Sequence, residues 1–222
     1  MPEPEVLAFD MYGTLVDPLS IWRRLAACCG ASAQRAAEVW RMKQLEYTFR
    51  LAAMERYEDF ENVTRKALDY ALAVVGYEAA EEQRVALLAE YDQLRPFADV
   101  SEGLGQLAAK GRQMVVLSNG TPRMLRAAVR SSGLESVIQT LISVDEVGTY
   151  KPSPRVYEHA AERLRRPIAE VQLISSNPFD VVGAAAAGMQ VAWLNRSGAV
   201  FDTLGPRPEL EIGTLSELAR RI

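Results

Sequence analysis

Histidine and cysteine are almost absent from this 222-residue chain, which holds one His and two Cys. The cysteines, Cys28 and Cys29, are chain neighbours, where a bridge to each other is strained. No disulfide framework is therefore expected, which fits a reducing cytosol. Basic clusters are also missing. Lys and Arg total 25 against 29 Asp and Glu, a net charge of −4, and they are scattered. A nucleic-acid groove would need a basic stripe, so no nucleic-acid partner is expected. Long apolar runs are missing too. The most apolar late stretch, Val181 to Leu194, is rich in alanine and glycine and too short to span a bilayer. The N-terminal Met-Pro-Glu-Pro-Glu is acidic and runs straight into a strand-like segment, without a basic-then-apolar signal pattern. The expectation is a cytoplasmic protein without membrane contact. What remains is ordinary for a globular fold: 49% hydrophobic and 24% charged residues, which argues against disorder. The length allows one domain, or one domain carrying a sizeable insertion.

Five short apolar runs read as buried parallel strands: Val6–Asp10, Met114–Ser118, Thr140–Val144, Val171–Ser175 and Val191–Leu194. Helical patterns lie between most of them, the βαβ signature of an α/β sheet. The spacing is uneven, because positions 11–113 separate the first run from the second. Within that gap, Leu19 to about Leu94 reads as helix throughout, with apolar residues three and four apart, such as Leu45, Phe49 and Ala52, then Val63, Ala67 and Tyr70. Pro96 is expected to end it. The expected fold is α/β: a Rossmann-like parallel sheet core (1–16 and 97–222) with a helical cap (17–96) inserted after the first strand. Gly205–Pro208 reads as loop and Leu215–Ile222 as a short closing helix. No repeats or low-complexity segments interrupt this pattern.

Ligands of such sheets bind beyond the carboxyl ends of the strands. Four polar clusters fall there. Asp10 opens Asp10-Met11-Tyr12-Gly13-Thr14, a carboxylate at a strand end followed by a glycine turn; by itself it is equally a turn cap. Ser118-Asn119-Gly120-Thr121-Pro122 offers a hydroxyl, an amide and N–H groups, a good anion cradle, and Thr121 ahead of Pro122 also reads as a helix N-cap. Tyr150-Lys151-Pro152-Ser153-Pro154 holds a lysine fixed by the two prolines that follow it, and Ser175-Ser176-Asn177-Pro178-Phe179-Asp180 a second carboxylate.

Taken together and in this order, Asp10 with Gly13-Thr14, Ser118-Asn119, Lys151-Pro152 and Asp180 resemble the four motifs of the haloacid dehalogenase superfamily. Phosphatases of that superfamily carry a second Asp two residues after the nucleophile, where this chain has Tyr12, and commonly an acid where it has Asn177. Magnesium favours carboxylate oxygens, so those neutral residues weaken the case for a metal and for phosphoryl transfer. The same departures resemble the (S)-2-haloacid dehalogenase family, as do the cap segments Val39-Trp40-Arg41-Met42-Lys43-Gln44-Leu45-Glu46-Tyr47-Thr48 and Tyr57-Glu58-Asp59-Phe60, and Arg155-Val156-Tyr157. Ala185 stands where that family often has lysine. Pro178 stands where it has small residues; it removes an N–H and is expected to alter the loop holding Asn177 and Phe179.

The resemblance implies attack by Asp10 on C2 of a 2-haloalkanoate, then hydrolysis of the aspartyl ester, with no cofactor. It nominates Ser118, Asn119 and the N–H groups of Met11 and Tyr12 for the substrate carboxylate. Arg41, with Asn119 assisting and Phe179 at the edge, is nominated for the departing halide; by itself Arg41 reads as a solvated helix residue. Lys151 would keep Asp10 ionised. Asp180 would orient Lys151 and help activate water, with Ser175, Asn177 and Tyr157 completing the network. Thr14 would fix the Asp10 side chain. Tyr12, Leu45 and Phe60 would wall the alkyl group, although cap core is the plainer reading of the last two. The single histidine, His159, lies two positions from Tyr157 on a predicted helix and reads as a surface residue on another face. A homodimer is implied by the resemblance alone. Two alternatives stand beside this reading: a magnesium-dependent phosphatase using Asp10 and Asp180, and a binding homologue without turnover.

Overall fold

A computed structural model describes residues 4–138 and 140–222. Its centre is β1 (Val6–Phe9), four residues buried on both faces. It pairs in parallel with β2 (Gln113–Ser118) on one side and β4 (Val171–Ser175) on the other. The sheet extends through β3 (Thr140–Ser143), β5 (Gln190–Leu194) and β6 (Leu210–Ile212), in the order β3-β2-β1-β4-β5-β6 with every pair parallel. Strands covered on both faces read as continuous apolar runs rather than alternating ones, which is why five of the six were visible in the sequence. This 3-2-1-4-5-6 order reverses direction beside β1, the switch point where such sheets bind ligands. Asp10 leaves the sheet at that point.

Between β1 and β2 come four helices of the insertion, α1 (Trp22–Cys29), α2 (Ala33–Ala53), α3 (Phe60–Val74) and α4 (Glu81–Tyr91), followed by α5 (Val100–Ala109) beside the sheet. The helical stretch is not continuous. It breaks after Ala53, where Asp59 then caps α3 by accepting from Asn62 N–H, and again after Val74. It also stops at Tyr91 rather than at Pro96. Residues 95–97 are instead extended alongside 15–17: Asp17 N–H donates to Arg95 O (2.9 Å) and Phe97 N–H to Leu15 O (3.1 Å). The segments entering and leaving the insertion thus form a two-stranded ribbon.

The insertion's interior holds a satisfied polar chain. Trp40 Nε1 donates to Thr64 O, Gln44 Nε2 to Thr64 Oγ1 and Tyr91 OH to Gln44 Oε1, each at 2.9 Å. The remaining helices are α6 (Pro122–Ser131), α7 (Pro154–Leu164), α8 (Pro178–Ala186) and α9 (Leu215–Arg221). The closing helix is where the sequence placed it. Among the described residues no helix is long and apolar enough to cross a membrane.

Candidate active site

Asp10 sits at the mouth of β1 and is only 6% exposed. The chain after it folds back on itself: Leu15 N–H and Val16 N–H both donate to Met11 O, and Gly13 N–H to Val16 O. Gly13 has φ +93°, a backbone that side-chain-bearing residues rarely adopt, so the turn requires glycine. That turn brings Thr14 back over Asp10. Thr14 Oγ1 donates to Asp10 Oδ2 (2.9 Å) and accepts from Ser176 N–H (2.9 Å). Asn177 Nδ2 donates to the same Oδ2 (2.8 Å) and to Tyr12 O (3.2 Å). One carboxylate oxygen therefore has two neutral donors, while among the described residues Oδ1 is bonded only by Lys151 Nζ, at 3.4 Å.

Lys151 is 1% exposed. Its ammonium donates to Leu117 O (2.6 Å) and Asp180 Oδ2 (2.9 Å) besides Asp10, so all three protons are directed. Tyr157 OH donates to the other Asp180 oxygen, Oδ1, at 2.8 Å. Burial alone would push the ammonium towards its neutral form, but the two carboxylates outweigh it and Lys151 lies above the ordinary lysine value. Asp180 lies above the ordinary carboxylate range: burial raises it, Lys151 pulls it down, and the Asp10 charge raises it again. Tyr157 is also pushed up, by burial and by the Asp180 charge, and remains a donor.

The strand-end loops assemble the rest. Ser118 Oγ accepts from Gly120 N–H (3.2 Å), Ser175 Oγ from Asn177 N–H (3.1 Å), and Asn119 Oδ1 from Lys151 N–H (3.1 Å). Asn119 thereby commits its oxygen to the backbone and leaves Nδ2 to donate. Thr121 caps α6 as its sequence suggested, accepting from Met124 N–H (3.2 Å). Gly120 is a place of close approach: a Cβ there would lie 3.0 Å from the Tyr12 ring. Pro178 does not distort its loop. It occupies the first position of α8, where a missing N–H costs nothing, and Asn177 still reaches Asp10.

From the insertion, Arg41 on α2 extends its guanidinium across to Tyr12 O (2.9 Å). It is thus held against the Asp10 turn rather than solvated. Phe60 is buried with its ring 5.7 Å from that of Tyr12, and Phe49 meets Phe179 edge-on at 5.0 Å. Leu45 is half-buried one turn beyond Arg41. Met11 is fully buried. The structure thus gathers Asp10, Tyr12, Thr14, Arg41, Lys151, Tyr157, Asn177 and Asp180 through direct contacts, with Ser118, Asn119 and Ser175 shaping their loops. His159 points elsewhere, half-buried against Glu146 (Nε2 to Oε2, 3.0 Å).

Sequence reasoning missed Tyr91. Its ring stacks on Tyr12 at 5.5 Å and its hydroxyl is held by Gln44. The signal was only its place at the end of a helical pattern. Tyr12 itself keeps a buried hydroxyl that has no hydrogen-bond partner among the described residues, and burial raises its pKa well above the ordinary tyrosine value. Among the described residues no group of three or more His, Cys, Asp or Glu is placed to share a metal ion.

A sheet of this order with an inserted helical layer and a buried aspartate at the switch point defines a class of hydrolase. A sequence profile of haloacid dehalogenase-like hydrolases matches residues 4–188. A (S)-2-haloacid dehalogenase of Pseudomonas sp. (strain YL) is 36% identical over 94% of this chain and 90% of its own length. Haloacetate dehalogenase H-2 of Moraxella sp. (strain B) is 36% identical over 100% and 99%. A solved L-2-haloacid dehalogenase from Xanthobacter autotrophicus with chloropropionic acid covalently bound superposes with a TM-score of 0.92 at 34% identity, covering 98% of this chain and 97% of that one. The chain belongs to the (S)-2-haloacid dehalogenase family of the haloacid dehalogenase-like hydrolases.

Proposed function

We propose that this enzyme hydrolyses (S)-2-haloalkanoic acids to (R)-2-hydroxyalkanoic acids through an ester on Asp10. The observation that carries the reading is the unequal treatment of the two Asp10 oxygens. Oδ2 is bonded by Thr14 and Asn177, whereas Oδ1 faces only the Lys151 charge and keeps lone pairs for attack. Ser118, the Asn119 amide and the N–H groups of Met11 and Tyr12 hold the substrate carboxylate. Oδ1 displaces the halide from C2, and the halide leaves towards Arg41 and Asn119, with Phe179 at the pocket edge. Tyr12, Phe60 and Leu45 exclude water around the alkyl group.

The ester then has Oδ1 bound to C2 and Oδ2 as its carbonyl oxygen. Thr14 and Asn177 already donate to that oxygen, so they stabilise the oxyanion that forms when water adds to Cγ. Asp180, raised in pKa and held by Lys151 and Tyr157, takes the water proton. The Cγ–Oδ1 bond breaks, and the alkoxide collects a proton from Lys151, which regains one from Asp180. Ser175 and Asn177 hold the loop that keeps these groups in place. No metal or cofactor enters this sequence. A cytoplasmic homodimer, with a cap over 17–96 and a core formed by 1–16 and 97–222, completes the proposal. The ribbon of 15–17 with 95–97 supports that division.

The test follows the oxygen atoms. In a single turnover in heavy-oxygen water with enzyme in excess, the first lactate from (S)-2-chloropropionate is expected unlabelled, and the label is expected in the peptide containing Asp10. Fully labelled lactate with an unlabelled peptide would make water the nucleophile and overturn the ester.

A further inference from the structure

The site is covered: Asp10, Tyr12, Phe60, Ser118 and Asn119 are all buried. Whatever reaches Asp10 must pass between the insertion and the strand-end loops, so the contacts that hold these two layers together matter for turnover. Tyr150 OH donates to Glu58 O (2.5 Å), Tyr57 donates to Asp145, and Phe49 meets Phe179. The densest contact centres on a residue with no part in the chemistry. Arg123, in the first turn of α6, donates through Nε to Glu61 Oε1 (2.9 Å) and through Nη1 to Asp92 Oδ2 (2.6 Å). Its Nη2 makes a longer bond to Asp92 Oδ1 (3.4 Å), and Thr121 Oγ1 also donates to Glu61 Oε1 (2.7 Å).

The two acids come from different helices of the insertion. Glu61 lies in the first turn of α3, where a carboxylate complements the helix dipole. Asp92 is the C-cap of α4, where the helix end favours a nearby cation, and Arg123 supplies it. Each acid is also the chain neighbour of an aromatic residue packed on Tyr12. Phe60 precedes Glu61 and lies 5.7 Å from the Tyr12 ring; Tyr91 precedes Asp92 and lies 5.5 Å from it. Tyr12 in turn rests on Gly120, next to Thr121. A small cavity of about 130 Å³ lies between α3, α4 and α6, lined by Glu61, Tyr91, Asp92 and Arg123. Burial pushes the Glu61 carboxyl up, yet the bonds from Arg123 and Thr121 outweigh it and hold it below the usual carboxylate range.

We propose that Arg123 is a positioning residue: by gripping Glu61 and Asp92 it clamps α3 and α4 onto the core and sets the Phe60–Tyr12–Tyr91 wall over Asp10. The kinetic consequence rests on the dehalogenase reading above; the clamp itself does not. Arg123 touches neither Asp10 nor its partners, so its loss should weaken closure over the substrate while leaving the displacement intact once the cap is shut. Its side chain is 55% exposed, which limits the effect to that of a partly screened ion pair.

Arg123→Ala is expected to raise KM for (S)-2-chloropropionate about three- to tenfold, with kcat at saturation within about twofold of wild type. Arg123→Lys, which keeps the charge but loses the fork, should fall between. The charge-exchanged pair Arg123→Glu with Glu61→Arg should recover KM relative to Arg123→Glu alone. A purely structural role would lower thermal stability without this KM–kcat split. Amide hydrogen exchange in the absence of substrate supplies a second measurement. In Arg123→Ala, exchange should quicken at residues 60–64 and 88–92 and stay unchanged in β1, β2 and β4. Wild-type KM together with wild-type exchange in Arg123→Ala would overturn the clamp. A wild-type enzyme that released no halide would overturn the dehalogenase reading instead, and exchange alone would then decide the clamp.

Discussion

Replacing Lys151 by Met keeps most of the side-chain volume and removes one charge from the most deeply buried ionic group of the site. The ammonium lies between Asp10 (3.4 Å) and Asp180 (2.9 Å), and Asp180 is wholly buried. Without it, Asp180 keeps, among the described residues, only the Tyr157 hydroxyl as a polar side-chain partner. Breaking a buried pair from one side costs about 3–5 kcal/mol. The cost has a definite pH dependence. Asp180 already holds its proton to higher pH in the folded protein than when unfolded, and loss of the cation strengthens that tendency. Where the folded state binds more protons than the unfolded one, stability falls as pH rises. The variant should therefore be nearly as stable as wild type at about pH 3, below the unfolded carboxyl's value of about 3.9, and should fall behind as pH rises from there through the folded Asp180 value. The wild-type lysine adds no slope in this window, because its raised pKa places its own loss of stability above about pH 10. Urea unfolding at several pH values reads the difference directly. The double variant Lys151→Met with Asp180→Asn removes the stranded charge; it should regain most of the stability and none of the halide release. A Lys151→Met enzyme with the wild-type urea midpoint at pH 8, or a deficit that shrinks as pH rises, would refute the argument.

Two further outcomes follow from the same geometry. Arg41→Ala should lower kcat about a hundredfold or more, as loss of one oxyanion donor does, without a large change in melting temperature; halide release at the wild-type rate would leave Arg41 a structural contact to the Asp10 turn with no part in catalysis. Displacement by Asp10 inverts C2 once, and later attack at the ester carbonyl leaves that centre alone. Chiral chromatography should therefore find (R)-lactate from (S)-2-chloropropionate, and racemic or retained product would exclude this order of steps.

How much of this was legible depended on the kind of signal. Buried parallel strands are unbroken apolar runs, so Val6–Phe9 and Val171–Ser175 announce themselves, and Asp10 and Ser175 fall at their ends. The sixth strand did not, because Leu210–Ile212 is three residues at a sheet edge with graded burial, too short to display a period. Pro96 misled for a different reason. Residues 95–97 are drawn into a ribbon with 15–17, a pairing distant in sequence that no helical pattern encodes. Arg41 stood out only through its Trp40-to-Tyr47 surroundings, since helical spacing alone leaves it on a solvated face. Tyr91 stayed hidden because whether the one aromatic of α4 meets Tyr12 depends on how that helix packs in the insertion, which its own spacing does not encode. Lys151 was legible as a lysine fixed beside a carboxylate, and the structure adds that one ammonium serves two carboxylates and a backbone carbonyl.

Whether an aspartate at this position attacks carbon or phosphorus turns on what reaches its two oxygens and what assists the leaving group. A magnesium ion demands near-octahedral oxygen ligands. Here Asp10 Oδ2 is met by the Thr14 hydroxyl and by an Asn177 N–H, and Oδ1 faces an ammonium. Both Asp180 oxygens are tied to Lys151 and Tyr157. A divalent cation would have to displace the Lys151 charge and turn Asn177 away, so the donor set fits an attacking carboxylate better than a metal ligand. The leaving group points the same way. An alkoxide expelled from a phosphate ester needs a proton, and the position two residues after Asp10 that would supply it is Tyr12. That ring is folded under Phe60 and Tyr91 and lies against Gly120, with a pKa raised well above the ordinary tyrosine value. A halide leaves without a proton. It needs a cation and polar donors on the far side of the carbon, the role we propose for the Arg41 guanidinium, which is held 2.9 Å from Tyr12 O.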